Sequence, residues 1–229
     1  MDKRRHYVIV LDTETANTFR SDSGQLDTSS ALVYDIGWSV IDTAGHVYTE
    51  HSFINADIYL NQKEVMKTAY YASKIPLYEQ GLRNGTRKLA TMATIRKIFR
   101  EEVNAYGVKE IMAHNARFDY NALNSTLRYT TKSRYRYWLP YGLEVWDTLK
   151  MARDVILKMP TYRYFCEAHN LFTANGNLSA TAENLYRFIT KNPDFEENHT
   201  GLEDVQIERE IYWYCKRQHK KMRKKLWED

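Results

Sequence analysis

Near its start the chain runs Tyr7-Val-Ile-Val-Leu-Asp12-Thr-Glu14-Thr15, an almost unbroken apolar stretch that ends in two carboxylates one residue apart. Such a run reads as a buried central strand. Strand side chains alternate faces, so Asp12 and Glu14 project to the same side, close together at the strand end. Two like charges held there raise each other's cost of ionisation, and a divalent cation relieves it. Oxygen-only ligands suit magnesium or manganese rather than zinc. The same residues also describe a strand leaving the core through a polar turn, so the pair gains meaning only if later segments bring more acids to it.

The rest of the sequence places those segments. Ala16 to Ser30 reads as a loop, and Ala31–Asp42 and His46–Asn55 form a hairpin around Thr43-Ala44-Gly45. One or two short helices are expected between Ala56 and Asn84. Beyond Gly85, Leu89, Met92, Ile95, Ile98 and Phe99 fall on one face of a surface helix. Val108–Asn115 is a fourth strand, followed by a helix over Ala116–Leu127 with Asp119 in its first turn. Glu144–Leu149 is a fifth strand, and helices follow through Lys158, over 162–169 and over 181–189. In Asn198-His199-Thr200-Gly-Leu-Glu203-Asp204, the Thr-x-x-Glu pattern reads as a capping box. It puts Asp204 in the first turn of a long helix, about 201–227, with His199 on the loop before it. A bare helix cap beside a surface histidine would give the same letters. The whole is an α/β domain with a mixed five-stranded sheet, three strands in an antiparallel meander and two parallel, flanked by helices.

Composition limits the function classes. At 229 residues with 43% hydrophobic and 14% aromatic content, one packed domain with insertions is expected over 1–229. There is no apolar run near membrane-spanning length, and the Met-Asp-Lys-Arg-Arg-His start lacks a signal peptide's hydrophobic segment, so no membrane role is expected. Cys166 and Cys215 lie far apart without CxxC spacing, which fits neither a disulfide scaffold nor a zinc site and points to a reducing cytoplasm. The net charge of +4 is unevenly placed: seven basic and two acidic residues lie from Lys216 onward, leaving 26 basic against 27 acidic in the body. A basic end on a neutral body suits a polyanion, while cations also favour a helix C-terminus. Arg128 to Trp138 interleaves four basic residues with four aromatics. That pattern fits stacking on a single strand of nucleic acid, or a Tyr-rich helix end packed on its own domain.

Asp12-Thr-Glu14, Ala113-His-Asn-Ala-Arg-Phe-Asp119 and His199-Thr-Gly-Leu-Glu-Asp204 occur in the order of the three motifs of a known family. The chain resembles the DEDDh-type 3′-to-5′ exonucleases of the ribonuclease H-like superfamily, the family of proofreading exonuclease subunits and ribonuclease T. Ile36-Gly37 and Asp147-Thr148-Leu149 also look like family positions, whereas Ala16-Asn17 stands where the family often has Thr-Gly, and the helical insertion over about 56–86 looks long. The resemblance implies phosphodiester hydrolysis at single-stranded 3′ ends of DNA or RNA with two divalent ions, Mg2+ or Mn2+. Asp12, Glu14, Asp119 and Asp204 would hold them, and His199 would be the general base. Thr13, Thr15, Asn115 and Phe118 would contact the terminal nucleotide. A polymerase or other protein partner would be needed for proofreading. A non-catalytic nucleic-acid or partner-binding module on the same fold is the alternative.

Overall fold

The computed structural model describes residues 5–20 and 26–228. In chain order the strands are β1 (Tyr7–Ala16), β2 (Phe19–Arg20), β3 (Leu26–Asp27), β4 (Leu32–Asp42), β5 (Val47–Asn55), β6 (Lys88–Ala90), β7 (Glu110–Ala113) and β8 (Glu144–Asp147). The helices are α1 (Ala56–Tyr59), α2 (Lys63–Met66), α3 (Ile75–Asn84), α4 (Met92–Tyr106), α5 (Ala116–Thr131), α6 (Thr148–Val155), α7 (Pro160–His169), α8 (Ala182–Thr190) and α9 (Gly201–Arg217). Apart from a two-strand ribbon of β2 and β3, the strands form one sheet in the order β6-β5-β4-β1-β7-β8. The meander β1-β4-β5 is antiparallel, and β7 and β8 extend it in parallel on the far side of β1.

β1 is therefore flanked by strands on both edges and covered on both faces. Ile9 and Leu11 pack with Phe99, Val103, Leu123 and Leu127 from α4 and α5. Val8 and Val10, on the other face, pack with Met151, Val155, Val205 and Ile211 from α6 and α9. Continuing that alternation, Asp12 and Glu14 emerge on the α9 face.

The sheet has six strands rather than five. Lys88–Ala90 pairs in parallel with Phe53–Asn55, and Thr91 then caps α4 by accepting the Thr94 N–H. Leu89 fitted the helical period only by coincidence: it is half-exposed in β6, and the buried stripe of α4 is Met92, Ile95, Phe99 and Val103.

The final helix stops at Arg217 rather than near Trp227. His219 takes a positive φ of 52° and turns the chain back. The tail then runs along β8, where Asp147 N–H donates to Lys224 O (2.7 Å) and Leu226 N–H to Val145 O (2.8 Å). It covers a sheet edge that would otherwise present unpaired backbone groups. Much of its basic charge is engaged within the chain: Arg223 with Asp154, Lys225 with Glu144, and Lys224 over the Trp146 ring. The Arg128–Trp138 segment divides: Trp138 is wholly buried in the core, whereas Tyr135 is 91% exposed. Among the described residues no helix is long and apolar enough to cross a membrane.

Candidate active site

The site begins with a backbone contact. Asp12 pairs with Gly37 across β1 and β4. A Cβ on Gly37 would lie 2.3 Å from the backbone nitrogen of Leu202, and one on Gly201 would lie 2.7 Å from the nitrogen of Gly37. Only two glycines let the start of α9 touch the sheet here, and that contact brings Asp204 beside Asp12 and Glu14.

Polar groups lock the junction. Gly201 N–H donates to buried Asp35 (2.9 Å). Arg87, from the segment after α3, reaches Asp35 (3.3 Å), Ser52 (3.0 Å) and Glu203 (2.9 Å). Burial raises Asp35 to about 6 despite Arg87 and the Gly201 N–H. The expected capping box does not close. Glu203 is held by Arg87, and the Thr200 hydroxyl donates to the Glu203 carboxylate (2.5 Å) rather than accepting a helix N–H.

The second motif reaches the same place from the parallel strand β7. Asn115 adopts a left-handed conformation (φ 62°), and its N–H donates to Asp147 at the end of β8 (3.0 Å). This turn starts α5 so that Asp119, in its first turn, accepts the Thr13 hydroxyl (2.7 Å). Thr13 thus directs its hydroxyl proton to a neighbouring acid. Thr15, Asn115 and Phe118 line the cleft, and Phe118 also packs against the core.

All four acids and His199 line one cleft of about 800 Å³. Ligand atoms of Glu14, His199 and Asp204 lie within 4.8 Å of one another. Burial, reinforced by neighbouring carboxylates, pushes Asp12 and Glu14 well above the ordinary carboxylate range. Burial likewise raises Asp119 to about 7, against the Thr13 hydrogen bond, and Asp204 to about 9 with Glu197 and Glu203 adding to it. Burial lowers the pKa of His199 from the ordinary imidazole value.

Two acids that the sequence reading passed over belong here. Glu208, one turn beyond Asp204 on α9, is 2% exposed. Its Oε1 accepts the His114 N–H (2.7 Å), and its carboxylate is pushed well above its ordinary value by burial and by Asp119. The i, i+4 spacing from Asp204 was the available signal. Glu197, two residues before His199, is raised to about 7 by burial and Glu183, and its Oε2 lies 3.6 Å from the His199 Nδ1. No sequence periodicity marks it.

The donor set fits divalent cations. Asp12 Oδ2, Asp204 Oδ1 and Glu208 Oε2 are buried and have no hydrogen-bond partner among the described residues. Buried carboxylate oxygens left unpaired are costly, and a cation satisfies several at once. Apart from one imidazole the donors are oxygens, as magnesium and manganese prefer.

No protein-family model matches the chain, and no curated protein matches it in sequence. Solved structures do match. E. coli exonuclease I in complex with an oligonucleotide has a TM-score of 0.58 at 18% identity, covering 94% of this chain and 41% of that one. The zinc-bound form of its complex with single-stranded DNA gives 0.53 at 16% identity over the same shares. Cell-death related nuclease 4 gives 0.50 at 11% identity, covering 94% of this chain and 65% of that one. The chain thus spans about two fifths of exonuclease I, and over nearly its whole length it has the fold that these nucleases share.

Proposed function

We propose that the chain is a divalent-cation-dependent 3′-to-5′ exonuclease acting on single-stranded ends of DNA or RNA. The observation that carries this reading is the convergence of acids from β1, α5 and α9 on one cleft, with buried oxygens unpartnered among the described residues and a histidine beside them. The shared fold supports it, since exonuclease I is solved with single-stranded DNA.

In this reading Asp12, Glu14, Asp119 and Asp204 hold two Mg2+ or Mn2+ ions, and Glu208 completes their surroundings. When bound, such ions neutralise the scissile phosphate and stabilise the attacking and leaving oxygens of an in-line displacement. His199 takes the proton of the attacking water, a task that suits an imidazole, whose ordinary pKa is about 6.5. Thr13 orients Asp119, while Thr15, Asn115 and Phe118 line the space for the terminal nucleotide.

The test is digestion of matched end-labelled single-stranded DNA, single-stranded RNA and duplex with magnesium, manganese and then chelator. Stepwise release of mononucleotides from the 3′ end, stopped by chelator, is expected. Binding without turnover at saturating metal would overturn the reading.

A further inference from the structure

His199 belongs to no helix or strand, and its backbone sits in the left-handed region (φ 53°). A side chain disfavours that conformation, so surrounding contacts must hold it. The contacts come from the insertion between β5 and β6. The Tyr71 ring lies flat on the imidazole, with centroids 4.1 Å apart and planes 7° from parallel. The hydroxyl of Tyr78, a buried residue of α3, donates to the His199 carbonyl (3.3 Å).

The insertion is itself tied to the acidic strand. Tyr70 N–H donates to Thr15 O (3.2 Å), one residue beyond Glu14, and the Tyr70 ring packs edge-on against Tyr71 (4.7 Å, 89°). A chain of contacts thus runs from the carboxylate end of β1 through Tyr70 and Tyr71 to the imidazole. Glu197 faces the ring's Nδ1 at 3.6 Å. A flat stack fixes the plane of the imidazole, and with it the direction of its two nitrogens.

We infer that the insertion sets the geometry of the histidine, and that Tyr71 is a positioning residue holding His199 against Glu14 and Asp204 before substrate arrives. This rests on the nuclease reading. It gives the 56–86 segment a task, presetting the proton acceptor that a loop alone would leave to wander.

The experiment is a double-mutant cycle on a labelled single-stranded oligonucleotide with magnesium. Tyr71→Ala is expected to lower kcat about 10²-fold, the general cost of displacing a reacting group by about 1 Å, with KM unchanged. Tyr71→Phe, which keeps the ring, restores most of that loss. In a His199→Ala background Tyr71→Ala costs nothing further, because the two act as a unit. Parental kcat in Tyr71→Ala, or an equal cost in both backgrounds, overturns the inference.

If the parent chain releases no nucleotide, the nuclease reading falls, and the positioning is then read by NMR. The His199 ring protons, assigned by their absence in His199→Ala, are ring-current shifted in the parent and in Tyr71→Phe and lose that shift in Tyr71→Ala. An unchanged shift in Tyr71→Ala overturns it.

Discussion

Asp12 and Asp42 stand on the same antiparallel ladder, Asp42 at its end opposite Tyr7 and Asp12 midway along it opposite Gly37. Asp42 is buried and Asp12 partly so, and their surroundings differ. Asp42 accepts the Ala44 N–H (2.8 Å), the His46 N–H (3.1 Å), the Tyr48 hydroxyl (2.9 Å) and the Arg5 guanidinium (2.6 Å). Burial opposes its ionisation, yet these donors hold it well below the usual range. Asp12 keeps an orphaned oxygen and faces four other acids, and it is raised. An acid that shapes a turn brings its donors with it, whereas an acid with open lone pairs among like charges is set for a ligand from outside.

The largest expected effect separates the two acids. Asp12→Asn should lower divalent-dependent nucleotide release by at least about 10³-fold, the several kcal/mol that cation-held charge stabilisation contributes. Its melting temperature in chelator should not fall, since one of several repelling charges is gone. Asp42→Asn should do the reverse: full activity, and a stability loss of about 1–3 kcal/mol from weakened partners of buried donors. Thermal denaturation beside the digestion assay checks both. Comparable activity losses in the two variants would erase the distinction.

Glu208 sharpens the contrast, because one of its oxygens is donated to and the other is not. Sorted with the cleft acids, Glu208→Gln should weaken magnesium activation by about 10–100-fold, the range typical of groups that support metal ligands. Saturating metal should recover most of the rate. Metal titration of activity is the measurement, and an unchanged midpoint would assign Glu208 to the His114 contact alone.

The two kinds of acid also have opposite pH signatures. Asp119 and Asp204 titrate near 7 and 9 when folded but near 3.9 when unfolded, so the unfolded chain releases protons first. Their contribution to stability is full below about pH 4 and is lost as pH rises through 7 to 9. Asp42 and Asp154 are depressed, so theirs is present above about pH 4 and is lost on acidification through their folded values. In chelator the melting temperature should fall on both sides. Magnesium should flatten only the alkaline limb, because cation binding displaces the same protons. An alkaline limb unchanged by magnesium would dissociate these acids from metal.

The buried strand that ends in Asp12 and Glu14, the hairpin after it and the helix starts that carry Asp119 and Asp204 could be read from the chain because each is local: an apolar run, a tight turn, a first helical turn. What could not be read depends on partners distant in sequence. Glu203 looked like a capping residue until Arg87, 116 positions away, was seen to hold it. The three residues of β6 are too few to set a period against the helix beside them, and the tail's pairing with β8 leaves no pattern in its own lysines. The stack on His199 is likewise invisible in spacing, since it joins residues on an insertion and a coil.

The smallest effect concerns that tail. Asp154 accepts the Arg223 N–H (3.0 Å), the Arg223 guanidinium (2.9 and 3.2 Å) and Lys158 (3.1 Å), which pins the returning chain to α6. The Arg223 hydrogen bonds lead in holding its carboxyl down. Because Arg223 and Lys158 are largely exposed, solvent screens the charges, and Asp154→Asn should cost about 1 kcal/mol or less. The backbone pairing of Lys224 and Leu226 with β8 should persist, as should the proposed nuclease activity, while the acid limb of the stability curve becomes shallower. Amide exchange at Leu226 against that at Ile111 in the central sheet separates the outcomes. Faster exchange at both would mean that the tail supports the whole sheet, and the acids bound by their own donors would then matter as much to the fold as the cleft acids do to the proposed reaction.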